Sequence, residues 1–229
     1  MNEEHGKRFA PWMVAGVVLA AFVAAGLLVS LSQIGGASSG DDGEELQSLM
    51  SGLPQDGKRL GRADAPVEIK VYEDLQCPAC AQFTRDSLPG VIEQHAEPGE
   101  ARLVSETLAF IGPDSVPAAI AAMAAGEQDR HWQYATLFFL NQGEENGGYV
   151  TDEFMTGMAE QTRGLDVSDW NESRSDKELE SRLQKTQDRA AENGIQSTPT
   201  IVVSGPGGER TLVGAVPAED VTAVVEEVE

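Results

Sequence analysis

Cys77 and Cys80 are the only cysteines in the chain, with Pro78 and Ala79 between them. A ring this small constrains the unfolded chain little, which argues against an inert structural bridge. The spacing suits a bond that is made and broken. The pair follows an apolar, strand-like run (Val67, Ile69, Val71, Tyr72) and opens a stretch that reads as a helix. At a helix start, the unpaired backbone N–H groups and the dipole favour Cys77 as a thiolate, the form that attacks disulfides. Cys80, three residues on, shares a helical face and can close the ring by attacking a mixed disulfide. A zinc site would need two further ligands, yet His5, His95 and His131 are isolated and there is no second C-x-x-C. No metal is expected, and a redox pair is the reading.

The elements that must hold this pair follow from pattern. Ala65-Pro66 opens a strand over Val67–Tyr72, and a helix is expected from about Pro78 to His95, kinked at Pro89. Ala101–Leu108 is a second strand, giving the strand–helix–strand order of a parallel unit. A helical region follows over about 113–193. Its parts are Ser115–Gly126, Arg130–Leu140, Thr151–Gln161 with a capping-like T-D-E-F, and the charged Ser175–Asn193, which stops at Gly194. The aromatic cluster of Trp132, Tyr134 and Phe138 reads as helix-packing core. Thr200–Val203 and Thr211–Val213 are strands joined by the hairpin signature Gly205-Pro206-Gly207-Gly208, and Pro217–Glu227 closes as a helix. The expected fold class is therefore one α/β domain interrupted by a helical subdomain.

The chain ends set the compartment. Lys7 and Arg8 precede a long uncharged stretch whose Ala10–Leu31 part is almost wholly apolar, about the length that crosses a hydrocarbon core. The expected organisation is a short cytoplasmic segment (1–9), one transmembrane anchor (10–34), a flexible acidic tether (35–58) and a domain over 59–229. The competing reading is a cleaved signal peptide, whose apolar core is usually shorter. With no cysteine directly following the apolar run, a lipoprotein anchor is excluded. Glu3, Glu4, Lys7 and Arg8 cancel, so the net charge of -22 belongs to the part beyond the apolar stretch. That excess speaks against nucleic acid or an anionic lipid surface as partner.

The run Val67-Glu68-Ile69-Lys70-Val71-Tyr72-Glu73-Asp74-Leu75-Gln76-Cys77-Pro78-Ala79-Cys80 resembles the active-site strand and motif of DsbA-like thiol–disulfide oxidoreductases. Asp74, Leu75 and Gln76 belong to the match. Gly194-Ile195-Gln196-Ser197-Thr198-Pro199-Thr200 is similar to the family's cis-proline signature, and the element order agrees over about Gly61–Glu229. The resemblance implies a thioredoxin-like fold with an inserted helical subdomain. It also implies a cis Thr198–Pro199 bond beside the cysteines, with the Thr198 backbone pairing to an extended substrate by strand addition. Taken alone, Pro199 would read as an ordinary trans turn proline. One position departs from the family: a buried Glu is often found six residues before the first cysteine, and Val71 stands there. Glu73 and Asp74 remain as candidate acids for proton transfer.

The expectation is a membrane-anchored, extracytoplasmic protein oxidase with catalytic Cys77 and Cys80 and substrate-binding Thr198 and Pro199. It needs no small-molecule cofactor. Its expected partners are exported proteins with free cysteines and a DsbB-like or vitamin K epoxide reductase-like membrane oxidase. The alternatives are a reductase or isomerase of the same fold, or a non-catalytic thioredoxin-like binding module.

Overall fold

The computed structural model describes residues 39–229. The expected anchor and cytoplasmic segment lie outside these residues. Among the described residues, no helix is long and apolar enough to cross a membrane.

A sheet of six strands runs in the order β1-β2-β4-β3-β5-β6: β1 Gln55–Asp56, β2 Arg59–Leu60, β3 Val67–Asp74, β4 Ala101–Leu108, β5 Thr200–Gly205 and β6 Gly208–Val213. β3 and β4 are parallel, and every other pairing is antiparallel. Between β3 and β4 the chain forms α2 (Pro78–Asp86), α3 (Leu88–Val91) and a π-helical turn, Ile92–Ala96. The helical insertion comprises α4 (Ser115–Gly126), α5 (His131–Leu140), α6 (Asp152–Gln161), α7 (Val167–Ser173) and α8 (Lys177–Glu192). α9 (Ala218–Val228) closes the chain.

Alternation along β3 sends Val67, Ile69 and Val71 into one core with Phe83, Leu88, Val91, Leu103, Trp132 and Val221. Tyr72 and Val202 face the opposite side, against Leu108 and Ala190. A third cluster joins Cys77 and Cys80 to the alanine-rich α4 and to Tyr134, Phe138 and Trp170 of the insertion. The aromatic cluster is thus packing core, as the pattern indicated. α8 ends before Gly194, whose φ of 72° is a left-handed conformation that glycine adopts freely. The β5–β6 hairpin turns on Pro206-Gly207, with Gly205 paired to Gly208. A Cβ at Gly205 would sit 2.5 Å from the Val228 carbonyl oxygen, so the turn packs against the end of α9 only because it is glycine.

Three expectations need correction. The tether placed over 35–58 is ordered from Ser39: α1 (Ser39–Met50) and the β1–β2 hairpin belong to the domain. Glu44 and Glu45 are exposed, while Leu46 and Met50 are buried in the sheet's core and Gln47 accepts a hydrogen bond from the Arg163 N–H. The helix expected over Pro78–His95 is broken. Ser87 leaves helical geometry and its Oγ donates to the Val216 carbonyl, and Pro89 stands in the first turn of a new helix, where its missing N–H leaves no bond unmade. Finally, α7 was absent from the expected elements; Asp166 caps it, and Trp170 on it is fully buried.

Candidate active site

Cys77 is the N-cap of α2. Its backbone is extended and its Sγ accepts the Cys80 N–H at 3.4 Å, while Pro78 occupies a first-turn position that needs no N–H. The Cys77 thiol also lies 3.2 Å from the Thr198 carbonyl oxygen, its acceptor. The Cys77 pKa is lowered to about 6, chiefly by the hydrogen bond with the Cys80 side chain; burial opposes this, and Thr198 and the N–H groups of Cys80 and Ala79 assist. Cys80 behaves oppositely. It is only 1% exposed, and burial, reinforced by Cys77 and Glu73, pushes its thiol well above the ordinary value. The two sulfurs are thus pushed in opposite directions, Cys77 toward the thiolate and Cys80 toward the thiol. Both are free thiols in this structure.

Thr198, 121 residues beyond Cys77, reaches the pair because β5 returns antiparallel to β3, with Thr200 opposite Tyr72. The Thr198–Pro199 bond is cis. The Pro199 carbonyl accepts the Gly214 N–H at 2.8 Å, and Thr200 Oγ1 donates to the Ser197 carbonyl at 2.7 Å, so the loop is held on both sides.

β3 continues to Asp74, so the alternation holds and Glu73 shares the face of Val71. Glu73 is 3% exposed, bordered by Phe83, Leu88, Trp132 and Phe139, and hydrogen-bonded to Ser105 Oγ at 2.7 Å. Burial, and secondarily the charge of Cys77, raises its pKa to about 7 despite the Ser105 bond. The buried acid thus comes from four residues before Cys77. Asp74 is placed otherwise. Its carboxyl oxygens accept the backbone N–H groups of Gln76, Phe110 and Ile111 at 2.9, 3.0 and 3.1 Å, tying the cysteine loop to the segment after β4.

Several residues here were invisible to sequence reasoning. Gln142 Nε2 donates to the carbonyls of Leu75 and Cys77, and the Asn146 N–H donates to Gln76 Oε1, so the segment between α5 and α6 clasps the cysteine loop. Ser105, on β4 opposite Val71, bonds Glu73 on one side and His131 Nε2, at 2.8 Å, on the other. One signal pointed to Ser105: it interrupts the inward series Ala101, Leu103 of β4 with a polar residue.

A family model described as Thioredoxin matches residues 55–227. The chain is 29% identical over 149 residues to the probable disulfide bond formation protein D of Bacillus anthracis, covering 64% of this chain and 69% of that protein. It is 26% identical over 167 residues to disulfide bond formation protein D of Bacillus subtilis, covering 72% and 73%. The crystal structure of oxidised BdbD from Bacillus subtilis superimposes with a TM-score of 0.67 at 23% identity, over 76% of this chain and 96% of that one. With a cysteine pair at a helix start facing a cis-proline loop, and a family match over residues 55–227, the chain belongs to the thioredoxin family.

Proposed function

We propose that this protein is a membrane-tethered, extracytoplasmic oxidase that introduces disulfides into exported proteins. Its underlying chemistry is that of a DsbA-like protein thiol–disulfide oxidoreductase. The observation that carries the oxidising direction is the position of Cys77 Sγ, capping α2 and stabilised as a thiolate while Cys80 stays protonated. Anything that stabilises the reduced pair makes the oxidised pair a stronger oxidant.

In the forward reaction a substrate thiolate attacks Cys77 Sγ of the disulfide. The Cys77–Cys80 bond breaks, and Cys80 leaves as a thiolate that takes a proton from Glu73, the buried acid whose charge acts on it. The substrate's second thiolate then attacks its own sulfur in the mixed disulfide and expels the Cys77 thiolate. Two electrons pass from the substrate dithiol to the pair. The backbone of Thr198 aligns an extended substrate segment during both attacks, and Pro199 offers no N–H to compete there. A membrane thiol oxidase, DsbB-like or vitamin K epoxide reductase-like, would restore the disulfide.

The direction is tested by equilibrating the protein with defined glutathione buffers. A potential above about −180 mV supports an oxidase, and one near thioredoxin's, about −270 mV, would make it a reductase. The tether is tested by fractionating the native host: the protein should stay with membranes through carbonate washing and be digested by protease added to intact protoplasts. A mature N-terminus near Gly36 would remove the tether and leave the oxidoreductase standing.

A further inference from the structure

Glu73, Ser105 and His131 form a buried hydrogen-bonded chain, with exposures of 3%, 0% and 1%. Ser105 Oγ lies 2.7 Å from Glu73 Oε1 and 2.8 Å from His131 Nε2, and His131 Nδ1 lies 3.0 Å from the Ala122 carbonyl oxygen. Counting protons along it is decisive. A carbonyl only accepts, so His131 Nδ1 carries a proton. If the imidazole is neutral, Nε2 must accept the single Ser105 proton, and Glu73 must then be the carboxylic acid that donates to Ser105. If Glu73 is ionised, Ser105 donates to it, and only a doubly protonated His131 completes the chain. The two arrangements differ by hydrogen positions alone.

We infer that Ser105 and His131 are positioning residues that hold Glu73 as a proton donor to Cys80 and take up the change when that proton leaves. Burial favours the neutral arrangement, raising Glu73 to about 7 and lowering His131 to about 4. When the Cys80 thiolate takes the Glu73 proton, the Ser105 hydroxyl turns to the new carboxylate, a proton from solvent makes His131 a transient imidazolium, and the chain relaxes to its neutral arrangement with Glu73 again the acid. The net change is one solvent proton taken up and one Cys80 thiol formed. A route to solvent exists: Thr107 Oγ1 lies 3.4 Å from Ser105 Oγ, and Thr107 and His131 both line a cavity of about 460 Å³ beside the β1–β2 hairpin. The other titratable groups acting on the chain are Cys77 and Cys80 from α2, and Lys58 from the hairpin after β1, which is itself paired with Glu106 and flanked by Arg59 and Arg189.

The inference rests on Cys77 and Cys80 being the exchanging pair. The experiment measures attack of a reduced peptide on the oxidised full chain across pH, for wild type, Ser105→Ala and His131→Gln. Taking variant-to-wild-type ratios removes the peptide thiol's own titration. Both variants should be slower at about pH 6 by about tenfold, a fraction of the 10²–10⁴ that a positioned acid supplies. The difference should close above about pH 8, where Glu73 is ionised in every form. A ratio that does not change with pH overturns the inference and leaves the exchange chemistry intact. A wild type that exchanges no disulfide overturns both. Should a variant not fold, ¹⁵N NMR of the His131 ring in the reduced wild-type chain decides: a neutral ring protonated on Nδ1 at pH 7 is expected, and a proton on Nε2 alone or an imidazolium is contrary.

Discussion

The splitting of two chemically identical thiols three residues apart has consequences that can be measured at each sulfur. Iodoacetamide should label Cys77 first, its rate rising through about pH 6 and not near the free-thiol value of about 8.5. Cys80→Ala should accumulate mixed disulfides with substrates, and Cys77→Ala should not. The potential should fall by about 59 mV per pH unit below pH 6 and by about 30 mV above it, because the reduced pair then binds one proton instead of two. For Glu73 the sign is worked through burial. Its folded pKa is raised to about 7, so the stabilising protonated form is fully present below the unfolded value and is lost as pH rises through 7. Glu73→Gln should therefore leave the reduced protein unchanged near pH 4 and stabilise it by ~2–3 kcal/mol at pH 8 in denaturant titrations. The cysteines were legible in the sequence because their chemistry is local. Glu73 was half legible, since its face depended on how far β3 ran. His131 was not legible, because its contact with Ser105 spans 26 residues and an intervening helix.

At the level of elements, the cysteine helix is positioned by its neighbours more than by its own turns. Asp74 supplies the acceptor for three backbone N–H groups in two separate loops. Asp74→Asn keeps one carbonyl oxygen and loses the stronger acceptor. It should cost about 1–3 kcal/mol in chemical denaturation and speed hydrogen exchange at Phe110 and Ile111, where Asp74→Ala costs more. Strand positions were readable from alternation and from the Gly-Pro-Gly-Gly turn, and four insertion helices from period and caps. The break at Ser87 was not readable. A proline at position 89 suits a kink and a fresh start equally well, and the Ser87–Val216 bond that selects the latter joins residues 129 apart.

For the molecule as a whole, the domain begins earlier than composition suggests. Low hydropathy and many acids made Gly35–Glu45 read as tether, but two buried apolar side chains, Leu46 and Met50, are enough to dock a helix. Met50 is fully buried. Met50→Ala should destabilise the protein by about 2–5 kcal/mol. A chain beginning at Gly52 should lose a comparable amount or more while keeping its Cys77 reactivity, as followed by urea melting and thiol labelling. The charge of -22 gave no warning of this, since it describes the surface and not the packing beneath it.

The atom that reacts is also the atom that caps. Each time Cys77 Sγ is drawn into a bond, with Cys80 or with a substrate, it becomes a poorer acceptor for the Cys80 N–H it holds in the dithiol. The first turn of α2 therefore carries a record of the redox state. Amide exchange at Ala79 and Cys80 should quicken on oxidation while the later turns stay as they were, so a substrate meets a slightly looser helix end than the one it leaves behind.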